Sequence, residues 1–522
     1  MTAITGDILI GGEALAGAGE RSFRATDPKT GASLEPAFAF AGEAEVDRAA
    51  RLAWESFDAF RETPLDLRAR FLEAIADEIE ALGDTLIERA AAETGLSPRR
   101  LGLERARTTF QLRLFAKVVR DGEWLDLRID PAIPDRKPFP RLDIRLRQIG
   151  VGPVAVFGAS NFPFAFSVAG GDTAAAFAAG CPVLVKGHPA HPGTGELVGR
   201  AVQAAARTCG LPAGVFALLL GGTETGAALV RHPAVRSVGF TGSRGGGLAL
   251  MAIAAARPEP IPVHAEMSSI NPVFILPAAL ASRTEEIARG FVDSLSLDAG
   301  QYCTNPGLVY ALDGPDLEAF LAHVEAALAK KHAEAMLTAG IHAAFDKGVE
   351  ALATNAAVQT LGRGQTGDDE NSSPPAVFLT DAAAFEADER LGHEVFGASS
   401  LVVRCADVEA MIEAAERMEG QLTATLQLDE DDVATVRRLL PVLERRVGRI
   451  LGNGWPTGVE VGHAMVHGGP FPATADSRFT SVGTLSIRRF LRPVSYQNLP
   501  EALLPEVLRD ESLPRLVDGK RV

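Results

Sequence analysis

Cysteine is scarce in this sequence, and acidic residues outnumber basic ones. The four cysteines are Cys181, Cys209, Cys303 and Cys405, and no C-x-x-C pair occurs. This pattern disfavours a disulfide scaffold, a redox dithiol and a zinc ribbon, and we predict no metal site. There are 51 Lys and Arg residues against 67 Asp and Glu residues, a net charge of −16. Because nucleic-acid binding depends on basic side chains that neutralise phosphates, no nucleic-acid partner is expected.

Long apolar runs and an N-terminal basic region are also missing. The uncharged stretch 149–171 contains Pro153, Asn161 and Pro163, so it is interpreted as a strand and a loop rather than a membrane-spanning helix. The early acidic residues Asp7 and Glu13 argue against a signal peptide. With 47% apolar and 23% charged residues, the composition is that of a globular protein. We therefore expect a cytoplasmic protein with no membrane partner.

Hydrophobic periodicity predicts helices first and an alternating α/β pattern afterwards. Residues 44–120 carry apolar side chains at three- and four-residue steps, which is typical of amphipathic helices. From 150 to 276, short apolar strands alternate with helical segments, and 277–460 repeat this more loosely. Such alternation favours doubly wound parallel sheets, whose ligands bind at the carboxyl ends of the strands. The loops after Phe157, Lys186, Phe240 and Glu266 are therefore the first to consider.

Two further segments have a two-residue period. Leu142, Ile144 and Leu146 alternate with charged residues, and the segment TLSIRRFLRPV (484–494) is similar. Period two indicates strands with one solvated face. We expect these two strands to pair and to form an oligomerisation flap.

Three residues are candidates for catalysis. Cys303 lies in a loop, DAGQYCTNPG, before an apolar strand; Glu266 ends the strand IPVHAE; and Asn161 follows the strand that ends at Phe157. A thiol can be a nucleophile, a carboxylate a base and an amide an oxyanion donor. A buried inert thiol, a surface glutamate and a turn asparagine are the alternative interpretations. His264 and His393 are further candidate bases, but no local pattern links either to Cys303.

Candidate phosphate contacts are Lys186, at the end of the strand PVLVK, and the loop FTGSRGGG (240–247), which opens a helix. A helix N-terminus with glycines favours anions. The loop lacks the G-x-G-x-x-G dinucleotide pattern, so this signal is weak by itself.

Taken together and in their order along the sequence, the motifs resemble those of the aldehyde dehydrogenase superfamily over nearly the whole chain. The resemblance implies that Cys303 is the nucleophile, Glu266 the general base and Asn161 the oxyanion donor. It also implies that Lys186 binds the cofactor, that Thr241, Gly242 and Ser243 form the pyrophosphate loop, and that Glu394 and Phe396 hold the nicotinamide ribose. The products would be a carboxylic acid and a reduced nicotinamide, by way of a cysteine thioester.

The resemblance also implies the domain plan. The expected fold class is α/β and aldehyde dehydrogenase-like, with two doubly wound parallel-sheet domains and a small β oligomerisation flap. We expect a Rossmann-like cofactor domain (1–128 and 149–267), a catalytic domain (268–480), the flap (129–148 and 481–500) and a C-terminal tail (501–522). A homodimer or homotetramer is expected.

Departures from the family pattern indicate a branch. Ser160 stands where a Trp is usual, Tyr302 precedes Cys303, and Met-Ser-Ser-Ile-Asn follows Glu266. The phrases ASNFPFAFSVAGGDTAAA and VKGHPAHPGT resemble an NADP-linked branch that includes 2-oxoglutarate semialdehyde (2,5-dioxovalerate) dehydrogenases and a bacterial long-chain aldehyde dehydrogenase. The expected substrate is therefore 2-oxoglutarate semialdehyde, and a medium- or long-chain aldehyde is the alternative. Arg478 and Arg244 are candidates for a substrate carboxylate, and 163–168 and Phe471 for an apolar tunnel.

Cofactor preference follows from one position. NAD-preferring relatives carry a carboxylate three residues after the lysine, which repels a 2′-phosphate. That position is Pro189 here, and Lys186 and His188 are placed to meet the phosphate, whereas Glu224 could restore repulsion. We expect a preference for NADP, with NAD as a second cofactor. Two other functions stay open at this point, a non-catalytic binding protein and a thiol hydrolase that needs no nicotinamide.

Overall fold

The computed structural model describes residues 4–17 and 21–522. Its α-helices are α1 Glu43–Arg61, α2 Leu65–Ala81, α3 Gly83–Thr94, α4 Pro98–Asp121, α5 Gly171–Ala178, α6 Pro192–Thr208, α7 Thr223–Arg231, α8 Arg244–Ala255, α9 Pro277–Ser296, α10 Pro315–Leu328, α11 Ala339–Ala353, α12 Ala382–Ala387, α13 Val408–Arg417, α14 Val433–Arg446 and α15 Glu506–Arg509. The helices predicted over 44–120 are thus confirmed as α1 to α4.

The strands are short. They are β1 Ile8–Ile10, β2 Glu13–Leu15, β3 Ser22–Thr26, β4 Ser33–Ala39, β5 Leu127–Asp130, β6 Ile144–Gly150, β7 Val154–Phe157, β8 Val183–Lys186, β9 Phe216–Leu219, β10 Ser237–Thr241, β11 Val263–Glu266, β12 Val273–Ile275, β13 Leu308–Leu312, β14 Glu334–Ala335, β15 Gln359–Arg363, β16 Ser372–Ser373, β17 Ala376–Asp381, β18 Ser399–Cys405, β19 Gln421–Gln427, β20 Val447–Gly452, β21 Leu491–Gln497, β22 Arg515–Val517 and β23 Lys520–Arg521.

The first large sheet is the predicted doubly wound one. Its order is β11-β10-β7-β8-β9-β1-β2. Strands β7 to β11 run parallel, and β1 joins the edge antiparallel to β9. Every residue of β7 and β9 is buried, as expected for strands covered by helices on both faces. The chain leaves the carboxyl ends of β7, β8, β10 and β11 at one edge, where the loops selected from the sequence meet.

The second sheet has the order β15-β17-β18-β13-β12-β19-β20. It is parallel except for β15, which pairs antiparallel with β17. The segment 473–475 leaves this half of the molecule and lies beside β11: Met267 N–H donates to Ala473 O at 2.8 Å, and Ala475 N–H donates to Ala265 O at 2.9 Å. This pairing brings the ends of the two sheets together around Glu266.

A third sheet contains the predicted strand pair. Its order is β21-β6-β5-β22-β23, and β21 pairs antiparallel with β6 over Leu491–Gln497. One prediction is wrong in part, because Thr484–Phe490 form a 3-10 helix and the strand begins only at Leu491. Arg489 draws this segment inward through a buried ion pair with Asp172 at 2.7 Å. The sheet also takes β22 and β23 from the segment expected to be a tail.

Within 4–17 and 21–522, no helix combines the length and apolar character needed to cross a membrane.

Candidate active site

Cys303 lies in a tightly turned loop between α9 and β13. Asp298, Ala299 and Gly300 all have positive φ angles, of 48°, 58° and 68°. A side chain cannot replace the hydrogen of Gly300, because a Cβ there would lie 2.4 Å from the backbone nitrogen of Ala398. The loop therefore turns sharply, and it leaves the Cys303 side chain half-buried rather than enclosed in the core.

The Cys303 thiol belongs to a compact polar cluster that also contains His467 and Glu266. The distance from Cys303 Sγ to His467 Nε2 is 3.3 Å, and His467 Nε2 lies 2.8 Å from Glu266 Oε1. The hydroxyl of Ser481 donates to Glu266 Oε2 at 2.5 Å. The reactive atoms of the three titratable residues all lie within 4.8 Å of one another.

The electrostatics of the cluster leave the proton on the sulfur at rest. Burial, and then the negative charge of Glu266, raise the pKa of the Cys303 thiol well above its usual value, while Arg107 acts to lower it. Burial acts to raise the pKa of the Glu266 carboxyl, but the charge and hydrogen bond of His467, together with Ser481, lower it overall. The arrangement is a neutral thiol beside an ionised carboxylate, which is the pairing a nucleophile with its own base requires.

The tautomer of His467 follows from its surroundings. Its Nε2 faces Glu266, whereas Nδ1 is buried and has no hydrogen-bond partner among the described residues. A proton on Nε2 satisfies the carboxylate and leaves no donor unpaired, because the bare Nδ1 then carries only a lone pair. We therefore assign the proton to Nε2, with His467 donating to Glu266.

Asn161 is held against the cysteine loop. Its Nδ2 donates to the carbonyl oxygen of Gln301 at 2.9 Å. The loop that carries it is fixed by Glu104 of α4, whose Oε1 accepts from the backbone N–H groups of Phe164 and Ala165 at 2.8 and 2.9 Å. Asn161, whose amide is predicted to stabilise an oxyanion, is thus hydrogen-bonded to a residue two positions before Cys303.

Asn271 connects the loop after Glu266 with the loop of the thiol. Its Nδ2 donates to the carbonyl oxygens of Cys303 and Asn305, both at 2.9 Å. It has a positive φ of 49°, a conformation that asparagine tolerates better than most residues. Asn271 thus ties the segment after Glu266 to the cysteine loop.

A cavity of about 1040 Å³ opens on this cluster. Its walls come from the carboxyl ends of the first sheet, from α11 and from the β3–β4 hairpin. The predicted site residues on its surface are Asn161, His188, Pro189, Thr241, Gly242, Ser243, Glu266, Cys303, Glu394 and Phe396. Ser243 caps α8, accepting from Gly246 N–H at 3.2 Å, so a helix N-terminus faces the cavity and favours anions.

Lys186 ends β8 beside this cavity. Burial lowers its pKa to about 8, although Glu224 acts to raise it. Glu224 itself forms an ion pair with Arg21 at 2.6 Å, so its charge is compensated. His188 Nδ1 accepts from the N–H of Ala190 at 3.1 Å, which leaves the proton of this imidazole on Nε2.

Glu394 is a second perturbed carboxyl on the cavity wall. Burial raises its pKa to about 7, although hydrogen bonds from Ser268 and the Ser269 backbone act to lower it. A carboxyl held near neutrality in a cleft is typical of a functional group.

The two histidines named above as candidate bases are not hydrogen-bonded to Cys303 in the described part of the chain. His264 packs edge-on against Phe479 and Phe490, with ring centroids 5.0 and 5.8 Å away, and burial lowers its pKa to about 3. His393 is exposed. The histidine beside the thiol is His467, which sequence reasoning missed. The only local signal was its place in the loop HGGP, ahead of a polar segment.

The other cysteines are not poised for chemistry. Burial raises the pKa of Cys181 to about 11 and that of Cys405 to about 12, and neither has a neighbouring base like that of Cys303 in the hydrogen-bond pattern of the described residues.

Comparisons with known proteins agree with the site. The model of the aldehyde dehydrogenase family matches residues 15–470. The chain is 59% identical to alpha-ketoglutaric semialdehyde dehydrogenase 2 of Azospirillum brasilense, over 99% of both chains. It is 47% identical to the alpha-ketoglutaric semialdehyde dehydrogenase of Acinetobacter baylyi, over 91% of both.

Solved structures show the same fold at low identity. A 1-pyrroline-5-carboxylate dehydrogenase from Thermus with bound NAD superposes with a TM-score of 0.79 at 22% identity, covering 94% of this chain and 92% of that one. A lactaldehyde dehydrogenase gives a TM-score of 0.81 at 20% identity, covering 94% and 98%. Family match, high-identity relatives and fold lead to one conclusion: this chain belongs to the aldehyde dehydrogenase family and is an NAD(P)-dependent enzyme.

Proposed function

We propose that the chain oxidises 2-oxoglutarate semialdehyde (2,5-dioxovalerate) to 2-oxoglutarate and prefers NADP to NAD. The observation that supports the substrate most strongly is the 59% identity, over 99% of both chains, to a relative named for this aldehyde. The site supports the reaction type, because a thiol, a carboxylate and an amide donor line one cavity.

Acylation uses Cys303 and Glu266. As the sulfur attacks the aldehyde carbon, the thiol proton passes to the neighbouring carboxylate of Glu266. The hydroxyl of Ser481 and the Nε2–H of His467 hold both oxygens of that carboxylate in place. The C–S bond forms while the carbonyl π electrons move to oxygen.

The resulting oxyanion needs donors. The Nδ2 of Asn161, now directed at Gln301 O, and the backbone N–H of Cys303 are the groups we assign to it. One such donor is typically worth about 3 kcal/mol in the transition state.

The cavity fits a nicotinamide dinucleotide. It has the volume for an extended ligand, a helix N-terminus for the pyrophosphate at Thr241, Gly242 and Ser243, and the carboxyl of Glu394 with Phe396 for the ribose. When bound, NAD(P) supplies the acceptor for the hydride that leaves the former aldehyde carbon.

Deacylation returns the enzyme to its resting state. Glu266 must first lose its proton, and it can do so because it lines the cavity. It then takes a proton from the water that attacks the thioester carbon. As the C–S bond breaks, this proton passes from Glu266 to the departing sulfur of Cys303, and the acid leaves.

The NADP preference rests on three side chains. Pro189 provides no carboxylate to repel a 2′-phosphate, and Lys186 and His188 offer an ammonium and a neutral N–H donor beside it. Glu224, the one acidic group in the neighbouring loop, is paired with Arg21. Replacing Pro189 by Glu should therefore turn the preference toward NAD, whereas the uncharged control Pro189→Gln should not. A kcat/KM at least about tenfold higher for NAD than for NADP in the unmodified enzyme would contradict the proposal.

We also propose the domain roles. The cavity lining supports 1–128 with 149–267 as the cofactor-binding part and 268–480 as the catalytic part. The pairing of β21 with β6 in a separate sheet supports 129–148 with 481–500 as an oligomerisation flap, which would give a homodimer or homotetramer.

An aldehyde panel tests the substrate. We expect kcat/KM for 2,5-dioxovalerate to exceed that for pentanal and decanal by about tenfold or more, measured through NADPH absorbance. Faster oxidation of the aliphatic aldehydes would replace the proposal with the medium- or long-chain alternative. Ester hydrolysis that proceeds as fast as aldehyde oxidation, without nicotinamide, would favour the cysteine hydrolase that the Cys303–His467 pair also resembles.

A further inference from the structure

Three arginines, Arg100, Arg107 and Arg449, surround the acylation site, and they differ in what neutralises them. Arg100 forms ion pairs with Glu104 at 2.6 Å and Asp298 at 3.1 Å. Arg449 uses its two terminal nitrogens as donors to the carbonyl oxygens of Gly458 and Pro456, both at 2.7 Å. Arg100 is thus neutralised by two carboxylates. Both terminal nitrogens of Arg449 are engaged, and only its Nε has no hydrogen-bond partner.

Arg107 of α4 is different. Its Nη2 donates to Val459 O at 3.2 Å, but its Nη1 has no hydrogen-bond partner. Over the described ranges 4–17 and 21–522, no carboxylate lies within ion-pair distance of Arg107. Two carboxylates, Glu104 and more weakly Glu460, act on its charge from farther away. Glu104 is fully engaged by Arg100 and by the backbone of 164–165. A partly buried cation with an idle donor favours an anionic ligand.

The position of Arg107 relative to the thiol is given by a short chain of contacts. Its guanidinium carbon lies 5.3 Å from the ring centroid of Phe166, and that ring lies 6.1 Å from the ring of His467. His467 is in contact with Cys303 Sγ at 3.3 Å. The Phe166 ring therefore contacts both the Arg107 guanidinium and His467, the residue beside the Cys303 sulfur. The electrostatics agree, since burial lowers the pKa of Arg107 while Glu104 and Cys303 raise it.

We propose that Arg107 binds the carboxylate of the aldehyde substrate and so selects semialdehyde acids over uncharged aldehydes. This inference rests on the proposed function. In 2,5-dioxovalerate the reacting carbon and the carboxylate carbon are the two ends of a five-carbon chain, about 5 Å apart when extended. That length is comparable with the 5.3 Å between the Arg107 guanidinium carbon and the Phe166 ring centroid. Nη1 is shielded from solvent in the resting enzyme, so a rotation of the guanidinium accompanies binding.

The two arginines considered from the sequence fit this role less well. Arg478 is 78% exposed and pairs with Asp476, and Arg244 pairs with Glu419 at 2.9 Å. Neither has an idle donor beside the catalytic cluster.

The test compares three five-carbon aldehydes: 2,5-dioxovalerate, glutarate semialdehyde, which keeps the carboxylate but lacks the 2-oxo group, and pentanal, which has neither. For Arg107→Met we expect kcat/KM to fall by about 10- to 100-fold for both acids, mainly through KM, and by less than about threefold for pentanal. Arg107→Lys, which keeps the charge, should recover part of the loss for the acids.

Arg449→Met is the matched control, because it removes a cation of the same site whose terminal nitrogens are already used. We expect it to change the acids and pentanal alike. An equal loss for all three aldehydes in Arg107→Met would show that Arg107 only supports the Val459 loop, and a selective loss of the same size in Arg449→Met would assign selectivity to the general field; either result overturns the proposal.

Failure of the proposed function gives a different result. If the unmodified enzyme prefers pentanal to both acids, the substrate assignment fails whatever Arg107 does. If it prefers the acids and Arg107→Met keeps that preference, only the inference about Arg107 fails.

Discussion

At the scale of single residues, the site depends on the hydrogen bond between two buried side chains, those of His467 and Glu266. Glu266 and His467 are 2% and 1% exposed, and one proton on Nε2 links them. Losing His467 would leave Glu266 with Ser481 as its main support in a site where burial raises the pKa of the carboxyl. His467 therefore keeps the base ionised.

The variant His467→Asn tests this role. We expect kcat to fall by about 10²-fold or more. We also expect the acidic limb of the pH–rate profile to move to higher pH, because Glu266 would ionise later. The pH dependence of kcat/KM measures the shift, and a profile that falls in height without moving would contradict it.

Glu394 gives a second pH effect, on stability. Its pKa is raised to about 7 in the folded protein, so the native state binds a proton more tightly than the unfolded chain. Stability from this group is complete below the unfolded pKa and declines as pH rises through about 7. We expect Glu394→Gln to raise the free energy of unfolding at pH 8 by at most about 3 kcal/mol and to leave it nearly unchanged at pH 4. Urea denaturation of the cofactor-free protein at both values measures this, and an equal change at the two pH values would be evidence against it.

The sequence predicted Cys303, Glu266 and Asn161 because each lies at the end of a recognisable strand or in a loop beside one, and each matches a family motif. It did not predict His467 or Arg107, whose contacts with Cys303 and Val459 cross 164 and 352 residues. No local period or spacing encodes such contacts, and only the fold brings them together.

At the scale of elements, buried polar side chains position the loops. Glu104 connects α4 to the Asn161 loop, and Glu93 of α3 accepts from the N–H groups of Gly193 and Thr194 at the start of α6, both at 2.8 Å. Asn271 does the same for the cysteine loop. These anchors explain how loops without regular structure hold catalytic groups in place.

Replacing Asn271 tests this anchoring. Asn271→Ala leaves the carbonyl oxygen of Cys303 without its side-chain donor and leaves that of Asn305 with the Gly307 N–H alone. We therefore expect a loss of about 2 kcal/mol in the free energy of unfolding and a fall in kcat. The affinity for NADP, measured by fluorescence titration, should stay nearly the same, because Asn271 is outside the cavity lining. A weakened NADP affinity with normal kcat would contradict the anchoring role.

Helices α1 to α4 and the parallel strands could be predicted because burial repeats along them with a constant period. Residues 484–490 could not, since Leu485 and Ile487 alternate as in a strand. The chain instead turns at Gly483, whose φ is 87°, and Ser486 N–H donates to Gly483 O at 3.1 Å. The partner that favours this turn, Asp172, is more than 300 residues away.

At the scale of the whole molecule, two parallel sheets place their carboxyl ends around one cavity, so that the cofactor side and the nucleophile side meet at Glu266. The third sheet, by contrast, ends in β21, whose outer edge has no partner strand among the described residues. An open seven-residue strand edge is usually covered in a stable protein.

We therefore expect the mass in solution to be two or four times the chain mass of 55.0 kDa. Light scattering coupled to size-exclusion chromatography measures it. A monomer at micromolar concentration would contradict the proposed flap.

The most direct measurement concerns the acyl-enzyme. The enzyme is mixed with 2,5-dioxovalerate and NADP, quenched with acid within the first turnover, and the peptide that contains Cys303 is weighed by mass spectrometry. We predict a 2-oxoglutaryl group on Cys303, one NADPH for each adduct, and neither product in Cys303→Ala. NADPH formation by Cys303→Ala, or the acyl group on another residue, would contradict the account.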